Sequence, residues 1–153
     1  MLNTNKTTWK AKEPNPAKRY LAEYRTLACR RDTLIEELER LRDASMRATS
    51  RLSATRLSGT SGRGGMEDSV IRVVDGEEAL RRTIAHLDEC LVARLVLIER
   101  LTDERQKLVL TYRYINGWGW AEIMRRMCLS ERPMFYLHGK ALESFRRAMK
   151  NQQ

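Results

Sequence analysis

Residues 102–149 read TDERQKLVLTYRYINGWGWAEIMRRMCLSERPMFYLHGKALESFRRAM, and the reading of this stretch decides the fold. Three helices are legible in it. Thr102 is placed to cap the first, with Asp103 and Glu104 in the opening turn, where acids suit the positive end of the helix dipole. Leu108, Val109, Tyr112 and Ile115 recur at helical spacing. Asn116-Gly117 stops this helix, because glycine takes the left-handed conformation just past a helix end. Trp118-Gly119 is the connection. The second helix runs from about Trp120 to Met127 and buries Ile123, and Cys128-Leu129 is a tight turn. Ser130 caps the third helix with Glu131 in its first turn. Pro133 falls near the third helical position, where a missing N–H costs little. Met134, Leu137, Ala141, Leu142 and Phe145 then face a core, which leaves Arg132, Tyr136, Lys140, Arg146 and Arg147 for other faces.

A short helix, a tight turn and a longer basic helix form a pair that can set its second member in the major groove of DNA. Side chains near that helix's N-terminus reach base edges, and basic flanks such as Arg146 and Arg147 hold phosphates. The same pair also serves as plain scaffold in helical bundles.

The strings Arg113-Tyr114-Ile115-Asn116-Gly117, Trp120-x-Glu122-Ile123, Ser130-Glu131-Arg132 and Leu137-His138-Gly139-Lys140-Ala141-Leu142 resemble the C-terminal module of phage and prophage late-operon regulators of the ArpU/RinA kind. That module is itself similar to region 4 of bacterial sigma factors, which reads the −35 promoter element. The likeness covers about one third of the chain. It implies a three-helix helix-turn-helix DNA-binding domain over 102–149 and double-stranded DNA as partner. Carried across, Ser130, Glu131, Arg132 and Tyr136 match the base- and phosphate-facing positions, and Lys140 is a flank contact. Arg113 matches an arginine that either faces DNA or buttresses the fold, and His138 resembles a packing position. This chain departs from the pattern at Met124, where a small residue is usual, and at Cys128, where the turn has glycine. Pro133, Met134 and Phe135 give the reading face an apolar character.

Upstream, residues 1–16 are polar and carry Pro14 and Pro16, which suggests a flexible N-terminal arm. Its Trp9 either docks on the body or anchors a partner. A helix starts near Ala17 and reaches about Arg47 or beyond. Tyr20, Tyr24, Leu27, Leu34, Leu38 and Leu41 alternate at spacings of three and four with only Arg31 interrupting, a coiled-coil periodicity. From 44 to 65 no acid occurs, and the Ser/Gly/Arg-rich stretch of about 48–66 reads as a linker. Arg47, Arg51 and Arg56, which precede its glycines, are either a phosphate patch or a solvated helix end. A second long helix spans about Glu67 to Leu101, with Gly76 as a candidate break. Leu80, Ile84, Leu87, Leu91, Leu95, Ile98 and Leu101 form its stripe, and Arg94 takes one seam position. Residues 17–101 are therefore expected to form a long, coiled-coil-like helical hairpin, or to zip to a second chain as a homo-oligomer.

The 153 residues are 42% hydrophobic and 32% charged, with a net charge of +9. That composition is too apolar for a disordered chain and too charged for a membrane protein. The charge is uneven: residues 67–101 hold 8 acids against 5 bases, whereas 102–153 hold 10 bases against 5 acids. Three scattered cysteines without paired spacing point to a reducing compartment. No secretory h-region or membrane-length apolar run is present. The default location is the cytoplasm of a bacterial host cell.

An enzyme is not expected, since no Ser/His/Asp, Cys/His or metal-ligand set has credible spacing. His86 and Cys90 share a face but lack further ligands, so neither metal nor cofactor is expected. The fold class expected is all-α, and the function a sequence-specific transcription regulator of phage or prophage origin. Its helical hairpin would supply oligomerisation or a contact to RNA polymerase. Two other readings stay open: a DNA packaging factor of the small-terminase kind, and a protein–protein adaptor that keeps the helix-turn-helix as scaffold.

Overall fold

The computed structural model describes residues 15–55 and 65–151. These are all helical apart from short connections: α1 Pro16–Thr55, α2 Gly65–Glu99, α3 Glu104–Leu110 continuing as a π-helical turn Thr111–Ile115, α4 Trp120–Met127 and α5 Glu131–Lys150. Trp9, Arg56 and the glycines of 59–64 lie outside the described residues.

Helix α1 begins one residue earlier than expected, because Pro16 fits the first helical position and the Asn15 side chain accepts the Ala17 amide at 3.0 Å as the cap. It also runs on to Thr55, through the part of the expected linker that starts at about 48. No glycine or proline occurs between Pro16 and Gly59, so nothing there breaks the hydrogen-bond ladder. The hydroxyls join it instead, as where Thr49 Oγ1 donates to the Ser45 carbonyl at 2.9 Å. Helix α2 passes through Gly76 without a break and ends at Glu99. Leu101 lies buried in the connection that follows.

Helices α1 and α2 lie side by side and antiparallel. The pairs that cross between them are Glu23 with Arg94 at 3.1 Å, Arg31 with Asp88 at 3.4 Å and Arg42 with Glu77 at 3.9 Å. Leu38, Leu87 and Leu91 are buried between them, each contributing roughly 1.5–3 kcal/mol by leaving water. The two arginines that interrupt the apolar stripes have separate uses. Arg31 is half-exposed and holds Asp88 and Asp32. Arg94 is only 4% exposed, and each of its three guanidinium nitrogens has an acceptor. It donates to the Tyr20 carbonyl at 2.9 Å, to the Cys90 carbonyl at 2.8 Å and to Glu23 at 3.1 Å, and it lies 4.0 Å above the Tyr20 ring. A buried charge is tolerable only with donors satisfied in this way.

The main core joins the start of α1 and the end of α2 to α3, α4 and α5. Ala17, Leu21, Leu97, Ile98, Val109, Leu110, Ile123, Met134, Ala141 and Phe145 are all essentially inaccessible there. Leu21, Leu97 and Leu110 fall off the stripes read from sequence. Leu110 follows Val109 in the regular part of α3 and lies four residues before Tyr114, and these three share the inward face, whereas Leu108 of the expected stripe is exposed. A π turn follows, in which the Asn116 amide bonds to the Thr111 carbonyl at 2.9 Å, five residues back. The cap of α3 is also one residue later than expected. Asp103, not Thr102, has the extended backbone of a cap, and its carboxylate accepts the amides of Arg105 and Gln106 at 2.8 and 3.4 Å.

The turn between α4 and α5 hinges on Cys128, which has φ 51° and ψ 44°. A side chain in this left-handed conformation costs roughly 1–2 kcal/mol relative to glycine, partly offset by the greater freedom that glycine gives the unfolded chain. Cys128→Gly is expected to raise the unfolding free energy by about 0.5–1 kcal/mol, read as a higher urea midpoint at unchanged slope. A lower midpoint would mean that the Sγ contact to the Arg125 carbonyl, at 3.8 Å, outweighs the strain.

Candidate nucleic-acid interface

Helix α5 is two-sided. Met134, His138, Ala141, Leu142 and Phe145 are buried, and Phe145 meets Tyr20 of α1 with ring centroids 6.2 Å apart. The opposite side carries Arg132, Tyr136, Gly139, Lys140, Glu143, Arg146, Arg147 and Lys150, all exposed. Five bases stand there against one acid. Tyr136 is 69% exposed, and Lys140 lies 5.8 Å from its ring and 3.5 Å from Glu143. Gly139, midway along this face, has open space where a β-carbon would stand, so another backbone can approach the helix closely there.

The N-terminal end of α5 is equally open. Ser130, Glu131 and Arg132 are exposed. Ser130 has the extended backbone of a cap, φ −76° and ψ 170°, yet its hydroxyl makes no capping bond, contrary to the sequence expectation. The amides of the first turn are thus left to solvent or to a ligand. The apolar character expected for the reading face needs one correction: Met134 is in the core, whereas Phe135 remains 43% exposed. Phe135 also packs against Trp120 with centroids 5.0 Å apart.

Arg113 sits apart from this face. Its guanidinium donates to the Trp118 carbonyl at 2.9 Å and lies 4.8 Å from the Trp120 ring. These contacts tie the α3–α4 connection together, which is the buttressing alternative raised for it. Aromatic stacking does the rest, with Tyr112 and Trp118 at 4.5 Å and Arg126 4.1 Å above Trp118. Within α4, Glu122 bonds both Arg125 and Arg126. The Arg125 bond, then the Arg126 bond, hold its carboxyl down at about 2.

Two cations from α1 reach this module, and sequence spacing gave no sign of either. The Arg25 guanidinium lies against Gly117, so near that a β-carbon there would stand 2.6 Å from its Cζ. Gly117 itself has φ 71°, in keeping with the stop read from Asn116-Gly117. Lys18 acts on His138, which is 9% exposed.

His138 Nε2 and Tyr114 Oη are 3.0 Å apart, and Trp120 meets the imidazole edge-on at 4.9 Å. Burial, and then the charges of Lys18 and Arg113, lower the His138 pKa to about 4, while burial pushes Tyr114 up to about 12. Both groups are uncharged at neutral pH, so the pair is a packing element. The consequence for stability has a definite sign. Below about pH 6.5 the unfolded chain takes up a proton on His138 that the folded chain refuses until about pH 4. The stabilisation is therefore complete above about 6.5 and is lost as the pH falls to about 4. The loss amounts to about 2 kcal/mol after discounting for residual solvent screening. Urea midpoints between pH 7 and pH 4 should fall more for the natural chain than for His138→Leu. Parallel pH profiles would refute the assignment.

His86 Nε2 and Cys90 Sγ are 3.8 Å apart on α2. Among the described residues no group of three His, Cys, Asp or Glu side chains could hold a metal ion, and no helix is long and apolar enough to cross a membrane. Comparisons with family models, with curated proteins and with solved structures return no match.

Proposed function

We propose that this chain is a sequence-specific DNA-binding transcription regulator of phage or prophage origin, with α4 and α5 as a helix-turn-helix of the sigma region 4 type. The observation that carries the proposal is the outward side of α5. Arg132, Tyr136, Lys140, Arg146 and Arg147 are all exposed on one helix whose other side is locked in the core. Such a helix is rigid, basic and unobstructed, as entry into a major groove requires. Arg132 and Tyr136 near its N-terminus would meet base edges, and Lys140, Arg146 and Arg147 would lie along phosphates. The open amides before Pro133 suit a phosphate as well, and Ser130 and Glu131 flank them. Arg113 supports the module from behind and contributes indirectly.

In this reading α1 and α2 form the helical hairpin of the protein, working in the bacterial cytoplasm. The hairpin serves self-association or contact with RNA polymerase, and no cofactor takes part. The mechanism is phosphate anchoring plus a few base-edge contacts, so affinity should fall steeply with salt. The test is selection of bound fragments from a random duplex pool at stated salt, followed by fluorescence titration of the winners. Convergence on one short motif supports the proposal. No binding even at low salt, or binding with no sequence preference, overturns it.

A further inference from the structure

Helix α5 exposes two large apolar side chains, Phe135 at 43% and Tyr136 at 69%. Tyr136 carries a hydroxyl and already has a place in the reading above. Phe135 has no polar atom, and nothing in that reading uses it. It is the fifth residue of α5, in the half that enters a groove. A single apolar side chain at a surface is ordinary, but this one is held in place. Its ring meets Trp120 with centroids 5.0 Å apart at 63°. Trp120 is fixed in turn by the Arg113 guanidinium at 4.8 Å and by the His138 ring, edge-on at 4.9 Å. A ring positioned from behind in this way loses little rotamer freedom when its open side is covered.

The surroundings limit what can cover it. Glu131 and Arg132 stand one turn before Phe135 and Gly139 one turn after, all exposed, at spacings that make them its neighbours on the helix surface. The centre of a protein–protein contact is depleted of charge, and an isolated ring beside Glu131 and Arg132 does not provide such a centre. A major groove suits it better. There the polar neighbours find partners on base edges and phosphates, and the apolar group that a base pair presents is the thymine methyl. Gly139 leaves open space where a β-carbon would stand, so position 139 puts no side chain between the ring and an incoming base.

We propose that Phe135 is a specificity-determining residue that contacts the 5-methyl group of a thymine in the DNA site. The inference rests on the DNA-binding reading above and adds a requirement to it. Arg132 and Tyr136 supply the polar contacts, and Phe135 demands an A·T pair with its thymine on a fixed strand.

The experiment starts from the selected duplex. Each thymine of the motif is replaced in turn by deoxyuridine, which lacks only the methyl group, and the full chain is titrated against every duplex. One replacement should weaken binding by the natural chain about fourfold, the worth of one buried methyl. Phe135→Ala should bind the thymine duplex at least about fourfold more weakly than the natural chain does, and it should not distinguish that duplex from the uracil one, because the two losses are the same contact. Thermal melts by circular dichroism check that the variant is folded. Phe135→Gln, which keeps more of its length against Trp120, repeats the comparison if the alanine variant is not. A natural chain indifferent to every uracil overturns the proposal, and so does a motif of G·C pairs alone. A uracil effect of equal size in the natural chain and the variant means that another group touches the methyl, which also overturns it. So does a variant that binds the thymine duplex as the natural chain does, the result expected if the ring serves a protein partner. In each of these cases binding to the selected site survives, so the DNA reading stands. A failed selection removes that reading, and this inference with it.

Discussion

The double reversal R132E/K140E should lower affinity for a selected DNA site by at least about a hundredfold while leaving the melting temperature within a few degrees of the natural value. Each lost contact to a base or phosphate is worth on the order of 1–3 kcal/mol, and a reversed charge adds repulsion from the phosphates. The fold should not notice. Arg132 is exposed in the first turn of α5, where a glutamate suits the helix dipole. Lys140 is held only by Glu143 and the Tyr136 ring, an exposed arrangement worth about 0–1 kcal/mol. Titrations at several salt concentrations make the result more informative. If Lys140 meets a phosphate, its removal lowers affinity for all sequences alike and reduces the salt slope by about 1. If Arg132 reads a base, its removal relaxes preference at one position of the site. An adaptor that uses the module as scaffold would show neither effect, and unchanged binding by the double variant would exclude α5 as the reading helix.

The chain showed its elements plainly and its contacts poorly. Helices α4 and α5 begin and end close to where Gly119, Cys128 and Ser130 indicate, because stop and cap signals act within a few residues. The exposed face of α5 was legible for the same reason: helical spacing separates Phe145 and Met134 from Arg132 and Tyr136 without help from the rest of the fold. Other features depend on partners distant in the chain. Arg94 reads as a flaw in a leucine stripe until Tyr20 and Glu23, more than seventy residues earlier, are brought to it. Arg25 reads as a solvated helix charge until Gly117 arrives beside it. The π turn at the end of α3 is likewise something that no single residue in Thr111–Ile115 announces.

Phe145→Ala should be the most destabilising single change in the chain, costing about 3–5 kcal/mol. Phe145 is fully buried among the largest side chains of the core, and it is the point where α5 meets Tyr20 of α1. Its loss leaves a cavity lined by side chains from separate helices, which cannot collapse together without shifting α5 itself. Arg94→Ala, also a fully buried site, should cost less. Glu23, the acid left behind, has a side chain 54% exposed and returns to water, so no charge is stranded. Urea titrations of the two variants separate these cases. A loss for Phe145→Ala no larger than that for Arg94→Ala would mean that α5 is held chiefly by α3 and not by the start of α1. The distinction matters for the proposed interface, because a recognition helix anchored at its C-terminal half by Phe145 presents its N-terminal half in a fixed direction. DNA affinity should therefore fall for Phe145→Ala even at temperatures where the variant is still folded, although Phe145 touches nothing outside the core.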